Sequence, residues 1–162
     1  MIFRGTEQSG AHFSDDGKYR YALYRQWGKC NKKHFTVIGL NPSTADENID
    51  DPTIRRCIGF AKREGCTGLT MLNLFAYRAT DPNEMVIQHD PVGPENDIAI
   101  AANVQNAIVI AAWGALPFAV HRARKVMEMI PTIQCFGLTK NGHPKHPLYL
   151  KLDTPIIPYV MQ

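Results

Sequence analysis

Cysteine is scarce in this 162-residue chain and scattered where it occurs: Cys30, Cys57, Cys66 and Cys135 include no C-x-x-C pair. That spacing argues against a zinc ribbon or an iron–sulfur set and favours free, mostly buried thiols. Long apolar runs are missing too. The longest, "AIVIAAW" (107–113), is far short of the roughly 20 residues that span a bilayer, and the N-terminus shows no charged-then-apolar leader pattern. A cytoplasmic protein without a membrane partner is expected. There is no internal repeat and no low-complexity linker, and with 44% hydrophobic and 20% charged residues the composition is that of one soluble domain over 1–162.

Charge of one sign is nearly balanced, at a net +3, but it is unevenly placed. Residues 1–34 hold seven Lys/Arg (Arg4, Lys18, Arg20, Arg25, Lys29, Lys32, Lys33) against Glu7, Asp15 and Asp16. Such a segment either meets an anionic partner or is the solvated surface of a hairpin, and charge alone favours the second reading.

What is present reads as an alternation of strands and helices. Around Asp16-Gly17, a tight-turn pair, Tyr19, Tyr21 and Leu23 alternate with polar neighbours, which predicts a β-hairpin extension over 1–34. "FTVIGL" (35–40) is a short β-branched run suited to a buried strand, and Asp51-Pro52-Thr53 is a helix start. Ile54, Cys57, Ile58 and Ala61 then repeat at helical spacing up to a stop at Gly65. "LTMLNL" (69–74), "AIVIAAW" and "TIQCFGL" (132–138) supply three further strands. A Pro-rich loop and a helix from about 95 to 105 lie before the third strand, and a helical face over 116–130 before the fourth. The expected fold is a three-layer α/β/α sandwich around a central four-stranded parallel sheet, with an α/β core over 35–150 and a C-terminal tail over 151–162.

Ligands of such sheets bind beyond the carboxyl ends of the strands. There the sequence places Gly39-Leu40-Asn41-Pro42, Asn73 followed by "LFAYRAT", Trp113-Gly114, and the loop "GLTKNGHPKHPLYL" with His143 and His146. Asn73 carries the donor and acceptor that a nucleobase edge requires, or else bonds neighbouring backbone. Trp113 is a core aromatic or a stacking platform, and either Phe75 or Tyr77 can face a pocket while the other packs. Pro144 and Pro147 pre-set the backbone around the two histidines. Asp46, Glu47, Asp50 and Asp51 could hold a divalent ion, but capping the helix near Pro52 explains Asp50 or Asp51 more simply, so neither metal nor cofactor is expected.

The ordered set "GLNPSTAD", "DDPTIRRC", "NLFAYRAT", "DPVGPEND", "AAWG" and "GHPKHPLYL" resembles a bacterial and phage family described as a domain of unknown function. The order of motifs is also similar, more distantly, to the uracil-DNA glycosylase superfamily. The first glycosylase motif is matched by Gly39, Leu40, Asn41 and Pro42. The base-reading Asn is matched by Asn73, five residues before Arg78, and the His-Pro loop by His146-Pro147 or, less well, His143-Pro144. The resemblance implies hydrolysis of an N-glycosidic bond. Asn41 would position water, Asn73 would read the base, Phe75 or Tyr77 would stack on it, and His146 would donate to the departing base. Leu148-Tyr149-Leu150 stand where the glycosylase loop carries a phosphate-gripping Ser and Pro. The expected partner is DNA or a nucleoside-like small molecule. The rival readings are a catalytically silent nucleobase or nucleic-acid reader, and an enzyme of modified-nucleotide metabolism.

Overall fold

The computed structural model describes residues 1–29, 33–130 and 132–161. Cys30 and Lys32, counted above among the thiols and the N-terminal cations, lie outside them. The chain is α/β: a mixed eight-stranded sheet with four helices among the described residues.

Hairpin connections make the first strands antiparallel, as short turns must. β1 (Ile2–Gly5) pairs with β2 (Ser9–Phe13), and β2 with β3 (Arg20–Gln26). The β2–β3 turn uses Gly17 at φ 71°. β4 (His34–Gly39), β5 (Gly68–Asn73), β6 (Ala107–Ala111) and the two-residue β7 (Gln134–Cys135) are each separated by helical crossovers, and they pair in parallel in the order β5-β4-β6-β7.

The expected four-stranded sheet with an appended hairpin is corrected here. β3 docks antiparallel on β5 with Leu23 opposite Met71, so residues 1–26 continue the sheet. At the other edge β8 (Ile157–Pro158) pairs with β7, which ties the segment expected as a tail into the sheet. The strand expected over 132–138 ends early, and Gly137 turns the chain at φ 116°.

Side chains alternate across the sheet with the period-2 geometry of a strand. Phe35, Val37, Leu69, Met71 and Ile110 enter one core with Ile54, Cys57, Phe60 and Ala61 of α1 (Pro52–Arg63). Ile38, Leu72, Val109 and Ala111 enter a second core. There they meet Ile100 of α3 (Asn96–Asn103) and Ala119, Ala123 and Val126 of α4 (Ala119–Glu128). The sequence reading missed α2 (Pro82–Val86), although its start repeats the Asp-Pro signal of α1: Asp81 accepts from the Asn83 N–H at 2.9 Å, as Asp51 accepts from Ile54 at 2.8 Å. Cys57, Cys66 and Cys135 are buried free thiols. Among the described residues no helix is long and apolar enough to cross a membrane.

Candidate functional site

A parallel sheet delivers the carboxyl ends of its strands to one edge. At that edge a cavity of about 340 Å³ opens, lined by Gly39 at the end of β4, Asn73 at the end of β5, Trp113-Gly114 just after β6, Asn41 and His146. More than 100 residues of chain separate Asn41 from His146, yet both line it. Its volume is at the lower end of ligand pockets, about 300–1,000 Å³.

Asn73 is 4% exposed, and its side-chain NH2 has no partner. Gly39 makes room for it: a β-carbon placed on Gly39 would lie 2.9 Å from the Asn73 side-chain oxygen. Behind Asn73 the strand end is clamped. Asn96, fully buried, donates its amide to the backbone carbonyls of Asn73 at 3.1 Å and Leu74 at 3.0 Å. Arg122 Nε donates to the Leu74 carbonyl at 2.8 Å and its Nη2 pairs with Asp97. The "DPVGPEND" motif thus supplies, through Asn96 and Asp97, the frame that aims Asn73.

Asn41 lines the cavity but spends its NH2 on loop architecture, donating to the carbonyls of Ala79 at 2.7 Å and Pro42 at 3.1 Å. Its Oδ1 is what remains for a ligand. Pro42 is buried, and its carbonyl also receives the Ala79 N–H at 3.0 Å. Trp113 is 3% exposed, packs edge-on against Tyr159 with ring centroids 5.7 Å apart, and forms part of the cavity wall.

His146 stands exposed at the mouth. Its Nδ1 accepts the Leu148 N–H at 3.3 Å, so the neutral ring carries its proton on Nε2. Desolvation holds its pKa below the usual histidine range, with the charge of Asp51 pulling the other way.

Five expected site residues do not line the cavity: the buried Pro42 and four others. Phe75 is in the second core, 6.0 Å from the Phe118 ring. His143 has its backbone N–H on Thr139 Oγ1 at 3.2 Å and does not line the cavity. Tyr77 and Arg78 line a separate, open groove of about 570 Å³ with Lys18, Thr44 and Thr80. The Arg78 guanidinium lies 5.1 Å from the Phe13 ring centroid, and its buried Nε has no partner. Ser43 lines both the groove and the cavity. After Asn73 the pairing becomes irregular: Phe75 N–H bonds the Leu40 carbonyl at 3.0 Å and Arg20 N–H the Ala76 carbonyl at 2.9 Å, while Ala76 N–H turns to the Val92 carbonyl at 3.1 Å and Tyr77 N–H to that of Pro91 at 3.2 Å. Strand alternation therefore does not decide where Phe75 and Tyr77 point.

The cavity also contains residues that the sequence reading did not assign to it, chiefly Arg20 and Asp51. Arg20 begins β3, and because β3 runs antiparallel to β5 its start lies beside the end of β5. No local signal marks this. Asp51 was read from the sequence as a helix cap or, less simply, as one of four carboxylates for a divalent ion, and not as a cavity residue. Of its acidic neighbours, Asp46 closes a turn by accepting the N–H groups of Asn48 and Ile49, each at 2.8 Å, and Asp50 pairs with Arg25 Nε at 2.8 Å. Among the described residues no three His, Cys, Asp or Glu side chains gather to hold a metal ion.

Residues 20–148 match the family described as "Protein of unknown function (DUF1643)". The chain belongs to that family. The matched span begins at Arg20 and contains every cavity residue named above, while β1 and β2 precede it. No curated protein and no solved structure matches the chain.

Proposed function

We propose that the cavity receives a nucleobase, carried by a DNA strand or a nucleoside-like small molecule, and that hydrolysis of the N-glycosidic bond is the reaction it serves. The observation that carries this reading is Asn73, a buried side chain with an unpartnered NH2 beside its carbonyl oxygen. A buried donor left unpaired costs about 1–3 kcal/mol, and a base edge presenting an acceptor beside a donor satisfies both atoms at once.

The chemistry follows from the same lining. Water adds to the anomeric carbon as the glycosidic electron pair leaves with the base, and a donor near the base stabilises the charge that develops there. Nε2–H of His146 is that donor, Asn41 Oδ1 orients the water, and Asp51 brings to the cavity a carboxylate that accepts the water's proton better than an amide can. The packing of α1 against one face of the sheet and of α3 and α4 against the other supports the three-layer, glycosylase-like arrangement that the motif order implies.

One observation favours a second reading, a catalytically silent base reader: the Asn41 NH2 is committed to two backbone carbonyls. The test is release of free base from nucleosides and from oligonucleotides carrying uracil, hypoxanthine or a damaged pyrimidine, with base binding measured in parallel. Release identifies a hydrolase, and binding without release identifies the silent reader. If neither occurs, the base reading is wrong. Asn73→Asp should change which base is bound more than how tightly, because it replaces a donor by an acceptor.

A further inference from the structure

Among the described residues Arg20 is the buried arginine without an ion-pair partner. It is 3% exposed, its Nε is buried without a partner, and its hydrogen bond is from Nη1 to the Ala45 carbonyl. Among the described residues no carboxylate comes within ion-pair distance of it, whereas Arg25 has Asp50 and Arg122 has Asp97. Desolvation lowers its pKa to about 10, and Arg78 and Arg25 push the same way against the pull of Asp51 and Asp46, so the guanidinium is still charged at neutral pH. A buried charge without a partner is strongly unfavourable unless something completes it.

The cavity that Arg20 lines supplies the place. Asn73 contributes its unpartnered NH2 and His146 its Nε2–H, so donors gather there, and Asp51 already accepts a helix N–H with Oδ1. Through Ser43 the cavity adjoins the groove of Arg78 and Lys18. Across the cavity and the groove, Arg20, Arg78 and Lys18 outnumber the two lining carboxylates, Asp51 and Glu84.

We propose that Arg20 is an anion-binding residue and that the ligand is a free nucleotide, whose phosphate monoester meets Arg20 while its base meets Asn73. This rests on the base reading above and narrows it. Burial decides between the sources of a phosphate. A strand phosphodiester stays on the surface when its base is turned into a pocket, whereas the terminal phosphate of a small molecule can enter with the base and reach a guanidinium that is almost wholly covered.

The experiment is calorimetric titration of the full chain with inorganic phosphate, with the nucleosides and 5′-monophosphates of the common bases, and with a short single-stranded oligonucleotide of the same bases. A monophosphate should bind about tenfold or more tighter than its nucleoside, as a charge-assisted bond to a buried guanidinium warrants. Arg20→Gln should bring the two within about twofold, and Arg20→Lys should keep part of the preference. The wild-type ratio needs no variant to fold, and a thermal melt of Arg20→Gln without ligand establishes that the variant is folded at the titration temperature.

Equal affinity for nucleoside and monophosphate would overturn the proposal, as would a phosphate preference that survives Arg20→Gln. Tighter, Arg20-dependent binding of the oligonucleotide would overturn the choice of a free nucleotide. Arg20-dependent binding of phosphate with no nucleoside bound would leave the anion site standing and remove the base reading instead.

Discussion

Replacing Asn41 by Asp separates a stapling amide from a water-positioning one. Read from the sequence, Asn41→Ala should leave the fold nearly intact and Asn41→Asp should keep or raise base release, since a carboxylate both orients and deprotonates water. The structure changes that expectation. The Asn41 NH2 bonds the Ala79 carbonyl at 2.7 Å and the Pro42 carbonyl at 3.1 Å, joining the exit of β4 to the segment after β5. At about 0.5–1.5 kcal/mol for each net hydrogen bond, Asn41→Ala should cost about 2 kcal/mol. At about 2–4 °C per kcal/mol for a domain of this size, Tm should fall by about 6 °C.

Asn41→Asp loses the same bonds and also sets a carboxylate oxygen against two carbonyl oxygens, a further penalty of about 1–3 kcal/mol. Protonation would relieve the clash, so the new carboxyl has a folded pKa above its unfolded one. The native state then binds the extra proton, and stability falls as pH rises through the interval from about 4 upward. Thermal melts of wild type and both variants between pH 4 and pH 8 check this: the Asp variant should melt below the Ala variant at pH 8, and the gap should close at pH 4. An Asp variant melting with wild type at pH 8 would refute the stapling argument.

Gly39→Ala should place a methyl 2.9 Å from the Asn73 side-chain oxygen and displace it, at about 1–3 kcal/mol. Base affinity should then drop about tenfold or more, a loss of about 1.4 kcal/mol or more, and undiminished binding in titration would show that the placement of Asn73 does not matter. Arg25→Ala removes a side chain that pairs with Asp50 at 2.8 Å and donates to the Asp46 carbonyl at 2.7 Å, leaving Asp50 partly buried. Denaturant melts should show a loss of about 2–4 kcal/mol, and less than 1 kcal/mol would mean that the loop over 46–50 holds itself. Desolvation holds the pKa values of His34 and His146 below the usual histidine value of about 6.5, and His34 also bonds Thr70 Oγ1 at 2.7 Å through Nε2. The unfolded chain therefore binds more protons just below that pH, stability should decline as pH falls through the interval, and His34→Gln should flatten the decline in pH-dependent melts.

By itself the sequence determined what depends on neighbours along the chain. β-branched runs such as Thr36-Val37-Ile38 form strands because their side chains suit a pleated, buried surface, and Asp51-Pro52 starts α1 because a cap and a preset φ act within four residues. Since parallel strands end on one edge, Gly39, Asn73 and Trp113 are legible as neighbours from the sequence, and His146 joins them. The tertiary structure alone decided what depends on register and partners. Arg20 reads as a hairpin cation until the antiparallel docking of β3 on β5 brings it to the cavity, and Asn41 reads as free to aim until Ala79 takes its amide. Phe75, Tyr77 and Arg78 lie off the predicted site because regular strand geometry ends at Asn73, after which the Ala76 and Tyr77 N–H groups turn to the carbonyls of Val92 and Pro91. A hydrogen-bond partner distant in sequence leaves no periodic trace, and a cavity is bounded by whatever the packing of both sheet faces brings together.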